Sequence, residues 1–85
     1  MVSRIMERIY EKIENGEKLC VCIKSSSSYI MDSIVPDSID IEDGIYIEGE
    51  NLILNIGNDT ETKISFDEIA DEFIIVQGNV TYYLS

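Results

Sequence analysis

Between residues 39 and 56 the apolar side chains fall on alternate positions: Ile39 and Ile41, Ile45 and Ile47, then Leu52, Leu54 and Ile56, with mostly polar or acidic residues between them. A period of two belongs to strands with one buried face. Turn signals interrupt it at Asp43-Gly44, Gly49-Glu50-Asn51 and Gly57-Asn58-Asp59. Reversals this short join antiparallel neighbours, so the segment reads as a meander of short strands.

The flanking segments extend this frame. Val2, Ile5, Met6, Ile9 and Ile13 recur three and four apart and predict one apolar stripe on a helix, closed by Asn15-Gly16. Arg4 with Glu7 and Arg8 with Glu11 are expected on its outer surface as spaced ion pairs. From Lys18 the period becomes two. Leu19, Val21 and Ile23 alternate with Cys20, Cys22 and Lys24, and the apolar character of both sets predicts a central strand covered on both faces, its two thiols reduced and buried. Ser25 to Ser28 form a polar loop, and Tyr29 to Val35 a second strand ended by Pro36. Thr62 to Ser65 predict a further short strand. Ser65 and Glu68 then read as a capping box for a brief helix with Phe66, Ile69, Ala70 and Phe73 on one side. Ile74 to Val76 and Val80 to Leu84 return to strand around a Gly78-Asn79 hairpin.

The sum is a single small acidic α+β domain over residues 1–85: an amphipathic N-terminal helix packed on an antiparallel meander sheet, or on an open barrel, of five to six short strands. In the order of its elements the chain resembles SH3-like and Sm-like barrels. The resemblance is one of architecture and implies a fold, with no activity attached.

Charge is the second constraint. Seventeen acids against six bases give a net charge of −11. Residues 1–24 hold four acids and five bases, and residues 25–85 hold thirteen acids and the single base Lys63. Nucleic-acid binding and attraction to anionic membranes both need Lys and Arg to neutralise phosphate, so this balance disfavours direct nucleic-acid contact and a membrane surface. Met1 to Tyr10 alternates charged with apolar residues and no eighteen apolar residues run together, which predicts a cytoplasmic protein.

Catalytic patterns are thin. The chain has no histidine, so the common nucleophile–base arrangements lack their base, and a serine–lysine pair would have to recruit Lys18, Lys24 or Lys63. The five glycines stand singly and form no phosphate loop. Two cysteines without histidine fall short of a zinc site. Placing Gly44 at the sixth position of a calcium loop puts Ile39 and Ile41 where oxygen ligands are required. The expectation is a non-enzymatic protein with no cofactor and no dedicated metal site.

The remaining constellation is a set of carboxylates around a tyrosine. Alternation places Asp40, Glu42, Tyr46 and Glu48 opposite the apolar isoleucines, with Asp43 and Glu50 in the adjoining turns, and the later segment adds Asp67, Glu68, Asp71 and Glu72. These ten residues are the candidate partner-binding surface. One expectation is an acidic protein-protein interaction protein that mimics nucleic acid and inhibits a partner with a basic nucleic-acid-binding surface; in composition it resembles the small acidic inhibitors that phages and mobile elements direct against nucleases and CRISPR complexes. The alternative is a structural or adaptor module that self-associates, as a homo-oligomer, or binds a protein through its helix or a sheet edge.

Overall fold

The computed structural model describes residues 2–50, 52–57 and 61–85. Asn51, Asn58 and Asp59, expected in two of the turns, lie outside them. Helix α1 spans Val2–Asn15 and buries Ile5 and Ile9, with Ile13 packed against the core. Its end is a Schellman closure: the Glu17 N–H donates to the Lys12 carbonyl at 2.9 Å and the Gly16 N–H to that of Ile13 at 3.4 Å. Gly16 takes φ 64°, a left-handed conformation that suits a residue without Cβ.

Eight strands follow: β1 Leu19–Lys24, β2 Tyr29–Ile34, β3 Pro36–Asp40, β4 Gly44–Gly49, β5 Ile53–Gly57, β6 Lys63–Asp67, β7 Glu72–Gln77 and β8 Val80–Leu84. They form a five-stranded sheet in the order β2-β1-β8-β7-β6 and a three-stranded sheet in the order β3-β4-β5, every pairing antiparallel. The fold is α+β and open, with no closed barrel. Ile45, Ile47, Leu54 and Ile56 from the smaller sheet meet Leu19, Val21, Phe73, Ile75 and Leu84 from the larger, and Ile5 and Ile9 of the helix complete the same core. Gln77 Nε2 donates to the Gly57 carbonyl and, at 2.9 Å, to Thr62 Oγ1, which ties β7 to the end of β5 on the open side. Among the described residues no helix is long and apolar enough to cross a membrane.

Four local expectations are corrected. The second strand stops before Pro36, as expected, but the strand count is higher than expected. Pro36 opens β3 directly after β2, at the first position of a strand, where its missing N–H costs no ladder bond. The chain thus passes from one sheet to the other through Val35, and eight strands form where five or six were expected.

The helix expected after Ser65 is instead a hairpin. Asp67 pairs with Glu72 around residues 68–71, and Asp67 Oδ1 accepts the N–H groups of Ile69 and Ala70 at 3.0 and 3.2 Å. Phe66 and Phe73, read as two turns of helix, are direct cross-strand partners with ring centroids 4.8 Å apart, and Ile69 at the tip is fully exposed.

Arg4 and Arg8 do not decorate the outer surface of α1. Arg4 lies 4.5 Å above the Phe66 ring, while Arg8 sits 5.5 Å from the Phe73 ring and pairs with Asp71 at 2.8 Å. Stacking on aromatic faces sheds less hydration for a guanidinium than for an ammonium, so arginine suits this seam between helix and hairpin.

Finally, β1 is interior in its sheet but covered on one face only. Cys20 is exposed and Cys22 half-buried, both free thiols on the outer side, whereas Leu19 and Val21 fill the inner side.

Candidate functional site

The outer face of the three-stranded sheet is built by strict alternation. In β4, Ile45 and Ile47 point into the core, so Tyr46 and Glu48 point out, and the register carries this across the sheet. Asp40 of β3 stands opposite Tyr46, which stands opposite Asn55 of β5; Ser38 stands opposite Glu48, which stands opposite Ile53. The two carboxylates are therefore diagonal, about 7 to 8 Å apart, and never directly opposed, which keeps like charges out of the closest cross-strand positions.

Glu42 and Asp43 extend the face at the β3–β4 turn, where the Asp40 carboxylate accepts the Glu42 N–H at 3.0 Å and Gly44 adopts φ 113°. Glu50 follows the far end of β4, where it borders a hollow with Lys18, Ser33 and Val35. All five acids are exposed. Arg8 pairs with Asp71 and Lys12 with Glu17, and among the described residues no ion pair reaches Asp40, Glu42, Asp43, Glu48 or Glu50.

The other four expected acids sit elsewhere. Asp67, Glu68, Asp71 and Glu72 occupy the β6–β7 hairpin of the larger sheet, and two of them are committed to the fold. Asp67 organises the turn, and Asp71, at φ 54°, receives both the ion pair from Arg8 and, through its carbonyl, an N–H of the same guanidinium at 3.3 Å. Glu72 is half-buried beside a groove on the outer side of that sheet, and Glu68 is exposed at the tip. The ten residues thus form two separate groups, with Tyr46 at the centre of the uncompensated one.

A comparison of the chain with family models, with curated proteins and with solved structures finds no match. Function rests on the surfaces themselves.

Sequence reasoning missed the other prominent surface. The groove that Glu72 borders has a volume of about 550 Å³ and is lined by Cys20, Cys22, Lys24, Met31 and Tyr83 among others. Lys24 Nζ lies 5.3 Å from the rings of both Tyr29 and Tyr83, a double cation–π contact. The Tyr29 hydroxyl is raised above the usual phenol range, chiefly by the neighbouring Cys22 side chain as a hydrogen-bonding group and then by partial desolvation and the charges of Cys22 and Tyr83. At its rim, β2 exposes 57% of Tyr29, 53% of Ile30 and 70% of Met31. The signal in the sequence is the run Tyr29-Ile30-Met31, which is apolar on both parities, as an interior strand would be, yet belongs to an edge.

Proposed function

We propose that this chain is a non-enzymatic protein-interaction protein whose acidic sheet face occupies a basic, nucleic-acid-binding groove of a partner protein and so inhibits it. The observation that carries the reading is the outer face of β3 and β4, where Asp40 and Glu48 flank Tyr46, with Glu42, Asp43 and Glu50 exposed in the adjoining turns and no ion pair to any of the five among the described residues. Same-face side chains of a strand recur about every 6.8 Å, twice the roughly 3.4 Å charge spacing along one strand of B-DNA. Carboxylates on such a lattice offer arginines and lysines of a nucleic-acid groove acceptors at compatible intervals, and the tyrosine adds apolar contact with a hydroxyl tip. Complementary charge of this kind acts chiefly on association rate and on choice of partner.

The test begins with capture of partners from the native host's lysate at low and then high salt. The dissociation constant of the captured partner is then measured for the wild type and for the variant Asp40→Asn, Glu42→Gln, Glu48→Gln, Glu50→Gln. These four changes keep side-chain volume and leave the inner sheet face untouched. The expected result is a loss of at least about tenfold in affinity, equivalent to about 1.4 kcal/mol, together with competition by nucleic acid. An affinity that is unchanged at both salt concentrations, with the fold intact by circular dichroism, removes the acidic face as the binding surface.

A further inference from the structure

We infer, independently of the acidic-face reading, that β2 pairs antiparallel with β2 of a second copy of this chain, with Met31 on the two-fold axis. The first observation is the direction of the backbone groups. The Ser25 N–H donates to the Ser28 carbonyl at 2.9 Å, so these two form a hydrogen-bonded pair at the hairpin end. Antiparallel ladders alternate bonded and non-bonded pairs, which makes Ile23 with Ile30 and Val21 with Asp32 bonded, and Lys24 with Tyr29, Cys22 with Met31 and Cys20 with Ser33 non-bonded. The bond from the Ser85 N–H to the Cys20 carbonyl at 3.0 Å, on the other side of β1, agrees with this parity. Tyr29, Met31 and Ser33 therefore direct their N–H and C=O groups away from β1, along an edge that no described strand pairs with.

The pattern is self-complementary. A two-fold axis at Met31 sets Met31 against its own copy and Tyr29 against Ser33 of the other chain, each as a bonded pair. Asp32 then faces Ile30 of the second copy, so the only charge on the strand never meets itself directly. One donor in each copy is pre-empted: the Ser33 N–H is held by its neighbour's carboxylate, Asp32 Oδ1, at 2.8 Å. Four intermolecular backbone bonds form with that contact in place, and six once Asp32 lets go.

Charge and area favour a second copy here. Residues 19–34 carry one base, Lys24, and one acid, Asp32, whereas residues 35–50 carry six acids and no base. Two chains of net charge −11 can approach along the neutral hairpin more readily than along the acidic sheet. With a body of 33 × 27 × 24 Å, the screening length of about 8 Å at 0.15 M salt is short against the separation of two copies, while the roughly 30 Å at 0.01 M is not. Tyr29, Ile30, Met31 and Val35 are each about half exposed or more. At on the order of 100 Å² apiece they remove about 800 Å² over two copies, below the roughly 1,200 Å² of stable specific interfaces and within the range of weak encounters, which describes a reversible dimer.

Sedimentation equilibrium on the intact chain tests this, at protein concentrations up to about 1 mM in 0.01 M and 0.15 M sodium chloride. The expected result is a mass rising from 9.6 kDa toward twice that value at 0.15 M, with association at least tenfold weaker at 0.01 M, the reverse of the salt dependence of a basic partner on the acidic face. Met31→Pro removes an outward N–H and no bond to β1, so it abolishes the dimer while circular dichroism is preserved. Asp32→Ser frees the Ser33 N–H and tightens it. Should Met31→Pro fail to fold, amide exchange of the wild type decides: the Tyr29 and Met31 amides gain protection with protein concentration. A wild type that stays at 9.6 kDa throughout, a folded Met31→Pro that dimerises as the wild type does, or protection at Tyr29 and Met31 independent of concentration each overturns the inference.

Discussion

Replacing Gly49 with alanine should destabilise this protein far more than the same change at Gly57. Gly49 ends β4, pairs with Pro36 and is buried under the bend where the chain passes from β2 to β3. A Cβ there would lie 2.5 Å from Ile34 Cγ2 and 2.7 Å from the Val35 carbonyl oxygen. The first contact can be relieved by moving a side chain; the second is backbone, held by the strands on either side of it. Overpacking of this kind costs about 1 to 3 kcal/mol, and a backbone obstruction belongs at the upper end. At about 4 to 8 °C per kcal/mol for a domain of this size, about 3 kcal/mol lowers Tm by roughly 12 to 24 °C. Gly57 is the internal control: it also sits in a strand, an added Cβ meets nothing within 4 Å, and Gly57→Ala should be neutral or slightly stabilising through the unfolded chain. The assay is thermal and urea unfolding of both variants. A second variant, Gly49→Ala with Ile34→Ala, should not recover the loss, because the carbonyl remains. If Gly49→Ala and Gly57→Ala unfold within about 0.5 kcal/mol of one another, the close approach at the bend is refuted.

Stability should rise with sodium chloride between 0.1 and 1 M. Acid pairs about 7 Å apart repel by roughly 0.6 kcal/mol unscreened in water, and shortening the screening length from about 10 to about 3 Å removes part of that at each pair. A gain of a few degrees in Tm is expected, and a fall would contradict a clustered acidic face. Arg8→Ala should cost about 1 to 1.5 kcal/mol, since it removes both the stack on Phe66 and Phe73 and the largely exposed pair with Asp71. Asp71→Asn should cost less than about 0.5 kcal/mol, because asparagine tolerates the left-handed backbone there and the stack survives. Equal losses in chemical denaturation would show that the ion pair, and not the stack, holds the hairpin to the helix.

Where the sequence was legible, a single local rule decided the outcome. The stripe from Val2 to Ile13 and the Asn15-Gly16 stop specify α1 because burial and closure are both set within a few residues of chain. Alternation likewise placed Asp40, Tyr46 and Glu48 outward, since Ile45 and Ile47 have to be inward. The β6–β7 hairpin was illegible because its spacing is degenerate. Phe66 and Phe73 seven apart fit two helical turns and equally fit symmetric positions about a hairpin, and only the distant core partners Ile75 and Leu84 decide between them. The same limit split the candidate site. Which sheet receives Asp67 to Glu72 depends on β8 joining β1, a pairing between residues as distant as Val21 and Leu84. The exposure of Cys20 follows from that too, since covering of the outer face of β1 is a property of the whole arrangement and not of the strand.

The pairing of β8 between β1 and β7 also sets a timetable. On a ribosome, Val21 emerges well before its partner Leu84, and at about 5 to 20 residues per second the wait is roughly 3 to 13 s. Until then β1 has β2 as its only neighbour, and the side that will receive β8 is an open row of backbone donors and acceptors. Residues 25–84, translated during that interval, carry thirteen acids and one base, and like charge of that density opposes the approach of a second copy to the bare edge.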